Sequence, residues 1–157
     1  MEDDSEYEIA THRRVDLAAL DDATIERAVQ ATLSLHGCRG AQISIALVDD
    51  AEIARLNETY LQHEGPTDVL SFDLNGDIEA GRVDGEIVAS AETAQRVAGE
   101  RGGNPAMELL LYLVHGTLHL LGYDDATVDA ATAMHAKEDE VFKALGYEPI
   151  WNGQRLS

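Results

Sequence analysis

At 157 residues, with 45% hydrophobic and 26% charged side chains, the chain has the make-up of one soluble globular domain long enough to bury a core. The 30 Asp and Glu against 11 Lys and Arg give a formal charge of −19, so nucleic acid is repelled at long range and would need a local basic groove. One cysteine, Cys38, excludes an intramolecular disulfide and points to a reducing compartment.

Residues 1–6 are acidic and poor in apolar side chains, and are expected to form a disordered tail ahead of a single domain over 7–157. This start lacks the basic and apolar regions of a signal peptide, and the longest uncharged apolar run, Leu109 to Leu121, is too short to span a bilayer. The expected location is cytoplasmic, with no membrane partner. Glu8 to Val15 predicts a first strand. Asp21 and Asp22 offer N-caps for a helix carrying Ile25, Val29 and Leu33, ended near Gly37. Gln42 to Val48 alternates around Ile43, Ile45 and Leu47, a strand pattern, and Asp49 or Asp50 then caps a helix through Tyr60.

A polar loop, Gln62 to Thr67, is punctuated by Gly65-Pro66. Asp68 to Leu74 and Gly85 to Ser90 read as two strands paired across Asn75-Gly76 and the extended loop after it. Glu92 to Glu100 predicts a helix stopping at Gly102-Gly103. Asn104 as N-cap and Pro105 at the first helical position open another, running to Leu121 and stopped by Gly122. A last helix covers Ala126 to Leu145. This order predicts an α+β fold: a small mixed sheet with packed helices, and a metal site at the end of a central buried helix.

The helix from Pro105 is apolar around most of its circumference, yet it carries His115 and His119. Four residues apart, the two imidazoles project from one face about one turn apart, and both can reach one ion. A lone histidine on such a helix is usually a hydrogen-bonded core residue; two on one face, followed by a glycine and two aspartates, favour metal. Gly116 inside the helix costs about 1 kcal/mol against alanine, which points to close backbone packing or to a ligand's approach. After Gly122 the chain can turn back, so Asp124 or Asp125 supplies a third ligand, although Asp125 has a competing use as N-cap of the last helix. Three ligands and an open position for water describe a catalytic zinc site. The zinc-peptidase pattern H-E-x-x-H needs its glutamate base where this chain has Gly116, so peptide hydrolysis is disfavoured.

His115-Gly-Thr-Leu-His-Leu-Leu-Gly-Tyr-Asp-Asp125 resembles the signature H-G-x-L-H-L-x-G-Y-D-H of the YbeY family of bacterial endoribonucleases, fitting ten of eleven positions. Leu56-Asn57, Tyr60, Glu64 and Pro66 to Phe72 resemble the family's upstream motif; Gly85 to Val88, Met134 and Glu138 also fit. The resemblance implies a single-strand-specific, zinc-dependent endoribonuclease that matures the 3′ end of small-subunit ribosomal RNA. Its implied partners are that RNA and the small ribosomal subunit or its assembly proteins.

The resemblance also carries the zinc ligands onto His115, His119 and, in place of a third histidine, Asp125. A carboxylate is an acceptable zinc ligand and lowers the charge of the site by one, which admits harder ions such as manganese or iron. Leu61 stands where the family usually has an arginine, a candidate phosphate contact that leucine cannot replace. No general base is assigned; water activated by the ion is the expected nucleophile. Thr67, Asp68 and Arg55 are candidates for substrate binding, with turn formation, strand entry and a solvated surface charge as their plainer uses. Arg96 and Arg101 are further candidates for phosphate contact. A non-catalytic metal-binding ribosome assembly factor is the alternative reading.

Overall fold

The computed structural model describes residues 6–15 and 20–151. Among these the order is β1 (Glu6–Arg13), α1 (Asp22–Leu35), β2 (Gly40–Val48), α2 (Asp50–Leu61), β3 (Val69–Asp73), β4 (Arg82–Ser90), α3 (Ala91–Arg101), α4 (Pro105–Leu120) and α5 (Val128–Ala144). The strands form one four-stranded sheet in the order β1-β2-β4-β3. β1 and β4 both run parallel to β2, and β3 lies antiparallel on the edge of β4. The fold is α+β with a small mixed sheet, as the order of elements implies.

Several boundaries differ from expectation. The acidic tail lies outside the described residues except Glu6, which instead opens β1, because parallel pairing with β2 starts at Glu6 opposite Gly40. β4 begins three residues before Gly85, since Arg82, Val83 and Asp84 pair with Gly40, Ala41 and Gln42. α5 starts at Val128: Thr127 is its N-cap, accepting from the Ala130 N–H at 3.0 Å. Asp21 and Asp49 are the caps of α1 and α2.

The sheet is apolar on both faces, which its strand alternation dictates. Ile43, Ile45, Leu47 and Ile87 belong to the main core with α1, α3, α4 and α5. The opposite set, Val48, Leu70 and Val88, packs under Ile53 of α2. α4 is the central element: Leu109, Leu110, Leu113, Val114 and Leu118 have essentially no exposed surface. A helix buried over most of its circumference is held by packing rather than by its own propensity.

A polar cluster locks α2 to α3. The Asp50 carboxylate accepts from Ser90 Oγ at 2.6 Å, Thr93 Oγ1 at 2.5 Å and Arg96 Nη1 at 2.6 Å. Burial alone raises the Asp50 pKa, but those three hydrogen bonds outweigh it and hold the carboxyl below its ordinary 3.8. Asp50→Asn is expected to cost about 1.5–3 kcal/mol, the range for hydrogen bonds to a charged group. A depressed folded-state pKa gives stability that is full above the ordinary value and lost as pH falls through the lowered one. Thermal melts should therefore show the gap between Asp50→Asn and the parent near neutrality, closing as the pH falls below the ordinary carboxylate value of 3.8.

Candidate metal centre

α4 starts where the sequence punctuates it: Asn104 accepts from the Ala106 N–H at 2.8 Å, and Pro105 fills the first helical position. Its far end is turned by Gly122, whose φ of +99° lies in the left-handed region. The Tyr123 N–H then bonds back to the Leu118 carbonyl at 3.1 Å, so the following residues fold under the last turn. This reversal brings Asp125 to the face that carries His115 and His119.

Three donor groups converge there. His115 Nε2 and His119 Nε2 are 3.0 Å apart; Asp125 Oδ2 is 3.4 Å from the first, and Asp125 Oδ1 is 3.9 Å from the second. Two nitrogens bound tetrahedrally to one zinc ion at about 2.0–2.1 Å would be about 3.3 Å apart. The observed spacing is within a few tenths of that. Side-chain exposure rises from 20% at His115 through 31% at His119 to 45% at Asp125, so the site opens to solvent on the carboxylate side.

The ring partners decide which nitrogens are available. His115 Nδ1 lies 2.6 Å from Glu138 Oε2, and His119 Nδ1 lies 3.0 Å from the Tyr123 carbonyl. A carbonyl can only accept and Glu138 is placed as an acceptor, so both Nδ1 atoms carry the proton. In the neutral rings both Nε2 lone pairs then face each other with no proton between them. That arrangement is repulsive unless a proton or a metal cation sits between, and a divalent metal fits it with Asp125 as a third donor. Burial alone lowers the His115 pKa, but the hydrogen bond and charge of Glu138, with Asp125 and Asp68 adding, outweigh it and raise it above 6.5. The same negative field that raises it favours a bound cation.

The two aspartates are separated by what each already holds. Asp124 accepts from the Ala126 N–H at 3.1 Å and shapes the turn. Asp125 is not needed as a cap, because Thr127 has that role. Among the described residues, His115, His119 and Asp125 are a group of donor atoms lying within 4.8 Å of one another.

The chain matches the family Endoribonuclease YbeY over residues 7–146. It belongs to the YbeY endoribonuclease family. Endoribonuclease YbeY of Moorella thermoacetica is 42% identical over 134 residues, covering 79% of this chain and 86% of the relative. That of Roseiflexus castenholzii is 41% identical over 154 residues, covering 92% and 96%. That of Rhodopirellula baltica is 40% identical over 133 residues, covering 83% and 68%. The solution structure of TM1509 from Thermotoga maritima superposes with a TM-score of 0.60 over 96% of both chains; at 22% identity it bears on the fold alone.

Within this YbeY fold the remaining candidates separate. Thr67 and Asp68 line a cleft of about 280 Å³ together with Arg96, Arg101, Glu108 and Tyr112. Tyr112 lies one turn before His115 on α4, and the Asp68 charge acts on the His115 ring. Buried Asn57 holds the loop leading into the cleft, donating to the Gly65 carbonyl at 3.0 Å. Arg55 is not brought to the centre: it stands on α2, which packs on the sheet face opposite α4, and its guanidinium is 2.6 Å from Glu52. Spacing could not have revealed which sheet face α2 takes.

Glu138, which the sequence marks only as fitting the family pattern, is the residue that holds the His115 ring. It is wholly buried, yet carries a carboxyl group. Its trace in the sequence is position: with Met134, Val141 and Phe142 it shares the apolar face of α5, and a carboxylate there needs partners. Gly116 also finds its reason. A Cβ there would lie 2.9 Å from Ile87 Cγ2 and 3.0 Å from Ser71 Oγ, so the position faces the sheet and close packing, not ligand approach, requires the glycine. A glutamate base at 116 would point away from the ligands. The peptidase arrangement does not fit this helix.

Proposed function

We propose that this chain is a metal-dependent endoribonuclease acting on single-stranded RNA, in maturation of the 3′ end of small-subunit ribosomal RNA. The observation that carries the metal-dependent part is the pair of Nε2 atoms held 3.0 Å apart beside Asp125, in a chain of an endoribonuclease family. A divalent ion held by His115, His119 and Asp125 would supply Lewis acidity toward a phosphoryl oxygen and activate water.

The chain's own side chains do the rest. Glu138 and the Tyr123 carbonyl keep the protons on Nδ1 of His115 and His119, aiming Nε2 at the centre. Arg101 and Arg96 give the cleft its basic side, and Arg96 is already paired with Asp50 at 2.6 Å. Asp68 repels phosphate but accepts from hydroxyls, so the 2′-hydroxyl of RNA is its natural partner. With a formal charge of −19, attraction to RNA is confined to the cleft and screened over about 8 Å at physiological salt. The ribosomal partners and a cytoplasmic setting belong to this reading; among the described residues no helix is long and apolar enough to cross a membrane.

The test is cleavage of a labelled single-stranded RNA, with a duplex of the same sequence as control. Metal-supplemented protein is expected to cut the single strand, and His115→Ala to lose at least about a thousandfold in rate. Leu61→Arg, which restores the family's usual residue at the exposed end of α2, is expected to raise the rate. The second reading, a non-catalytic assembly factor, is favoured by Leu61 itself. Purified protein that binds metal and cuts no RNA, with or without Leu61→Arg, selects it.

A further inference from the structure

The YbeY family match ends at residue 146, but the chain continues past it and folds back over α5. The N–H groups of Ile150 and Trp151 both donate to Asp139 Oδ1, at 2.8 and 2.9 Å. The Trp151 indole stacks on the His135 ring with centroids 3.6 Å apart and planes 18° from parallel. Its Nε1–H donates to Glu138 Oε1 at 2.8 Å, and His135 Nδ1 reaches the same oxygen at 3.0 Å. The other oxygen, Oε2, is the one that holds His115.

Both oxygens of a completely buried carboxylate are thus spoken for, one by the metal-ligand ring and one by groups outside the centre. A carboxylate turns readily about its last bond unless each oxygen is tied. The two donors on Oε1 fix that rotation, and fixing it fixes where Oε2 sits. His115 is therefore aimed by a hydrogen-bonded chain that begins at the indole.

We propose that Trp151 is a positioning residue for the metal centre, acting through Glu138 on His115, so that docking of the segment after α5 sets the centre's affinity for its ion. The proposal rests on the reading of His115, His119 and Asp125 as a metal site. Its physical content is a hydrogen bond two groups away from the ligand, in a setting where outer partners of a ligating histidine are typically worth about 10–100-fold in affinity.

Trp151→Phe keeps an aromatic ring for His135 and removes the N–H. Zinc affinity is measured by competition with a chromophoric chelator, alongside thermal melts of the metal-free proteins. The expected result is zinc binding about tenfold weaker in Trp151→Phe and about 10–100-fold weaker in Glu138→Gln, with metal-free Trp151→Phe melting cooperatively. Unchanged zinc affinity in Trp151→Phe overturns the proposal and leaves the metal site standing. No zinc binding by the parent protein overturns both. A second readout needs no substitution at the segment: Trp151 is the single tryptophan of the chain, so its emission reports the coupling directly. Zinc titration should change that emission in the parent and not in His115→Ala. Zinc loading with no change in emission would overturn the coupling even if Trp151→Phe does not fold.

Discussion

Asp125→Ala is expected to strip the purified protein of nearly all bound metal, from about one equivalent to background, while Asp124→Ala keeps most of it. The two residues are neighbours in one turn, so a general disturbance of that turn should affect both variants alike. The difference comes from what each carboxylate does. Asp125 faces His115 Nε2 at 3.4 Å and His119 Nε2 at 3.9 Å, and its removal leaves a two-nitrogen site with two open positions. Asp124 accepts from the Ala126 N–H, a local bond worth about 1 kcal/mol. His115→Ala should resemble Asp125→Ala, with loss greater than the roughly 10–100-fold that follows removal of an outer partner. Mass spectrometry of untagged protein after dialysis is the measurement. Equal retention in the two aspartate variants would remove Asp125 from the ligand set.

Gly116→Ala is expected to destabilise the fold, although alanine is the better helix former by about 1 kcal/mol. The added methyl would sit 2.9 Å from Ile87 Cγ2, 3.0 Å from Ser71 Oγ and 3.1 Å from Val69 Cγ2, on two different strands. Ile and Val are stiff at χ1, so those neighbours do not swing aside cheaply. Ser71 Oγ also donates to the Gly116 carbonyl at 2.9 Å, and lifting the helix from β3 stretches that bond. Overpacking typically costs about 1–3 kcal/mol, and forcing apart two strands and a helix lies at the upper end. A net loss of about 1–2 kcal/mol lowers the melting temperature by about 2–8 °C for a chain of this size. Because position 116 lies between the two histidines, the same shift should weaken metal binding. A melting temperature equal to the parent's would mean that the sheet yields, and that the glycine is there for another reason.

Much of this was legible from residues alone. Asn104-Pro105 and Gly122 punctuate α4 at both ends, and the four-residue spacing of His115 and His119 places both rings on one face. Strand edges were less legible. β4 opens at Arg82, where Val83 is the only apolar residue of three, and pairing with β2 rather than local pattern keeps it extended. The choice between Asp124 and Asp125 was closed to spacing, because it depends on Thr127 taking the cap of α5. The burial of Glu138 against His115 joins residues 23 apart on two helices. Spacing could not place Arg55 relative to the centre, because periodicity says which side of a helix is apolar and nothing about which face of the sheet that side will meet.

The centre joins two nitrogens on a rigid rod to one oxygen on the bend that links α4 to α5. Departure of a captured cation would then begin at the oxygen, the only donor whose backbone can swing while the core stays packed. Residence time should follow the stiffness of that bend, so a substitution that loosens it without touching any donor would quicken exchange far more than it alters the equilibrium.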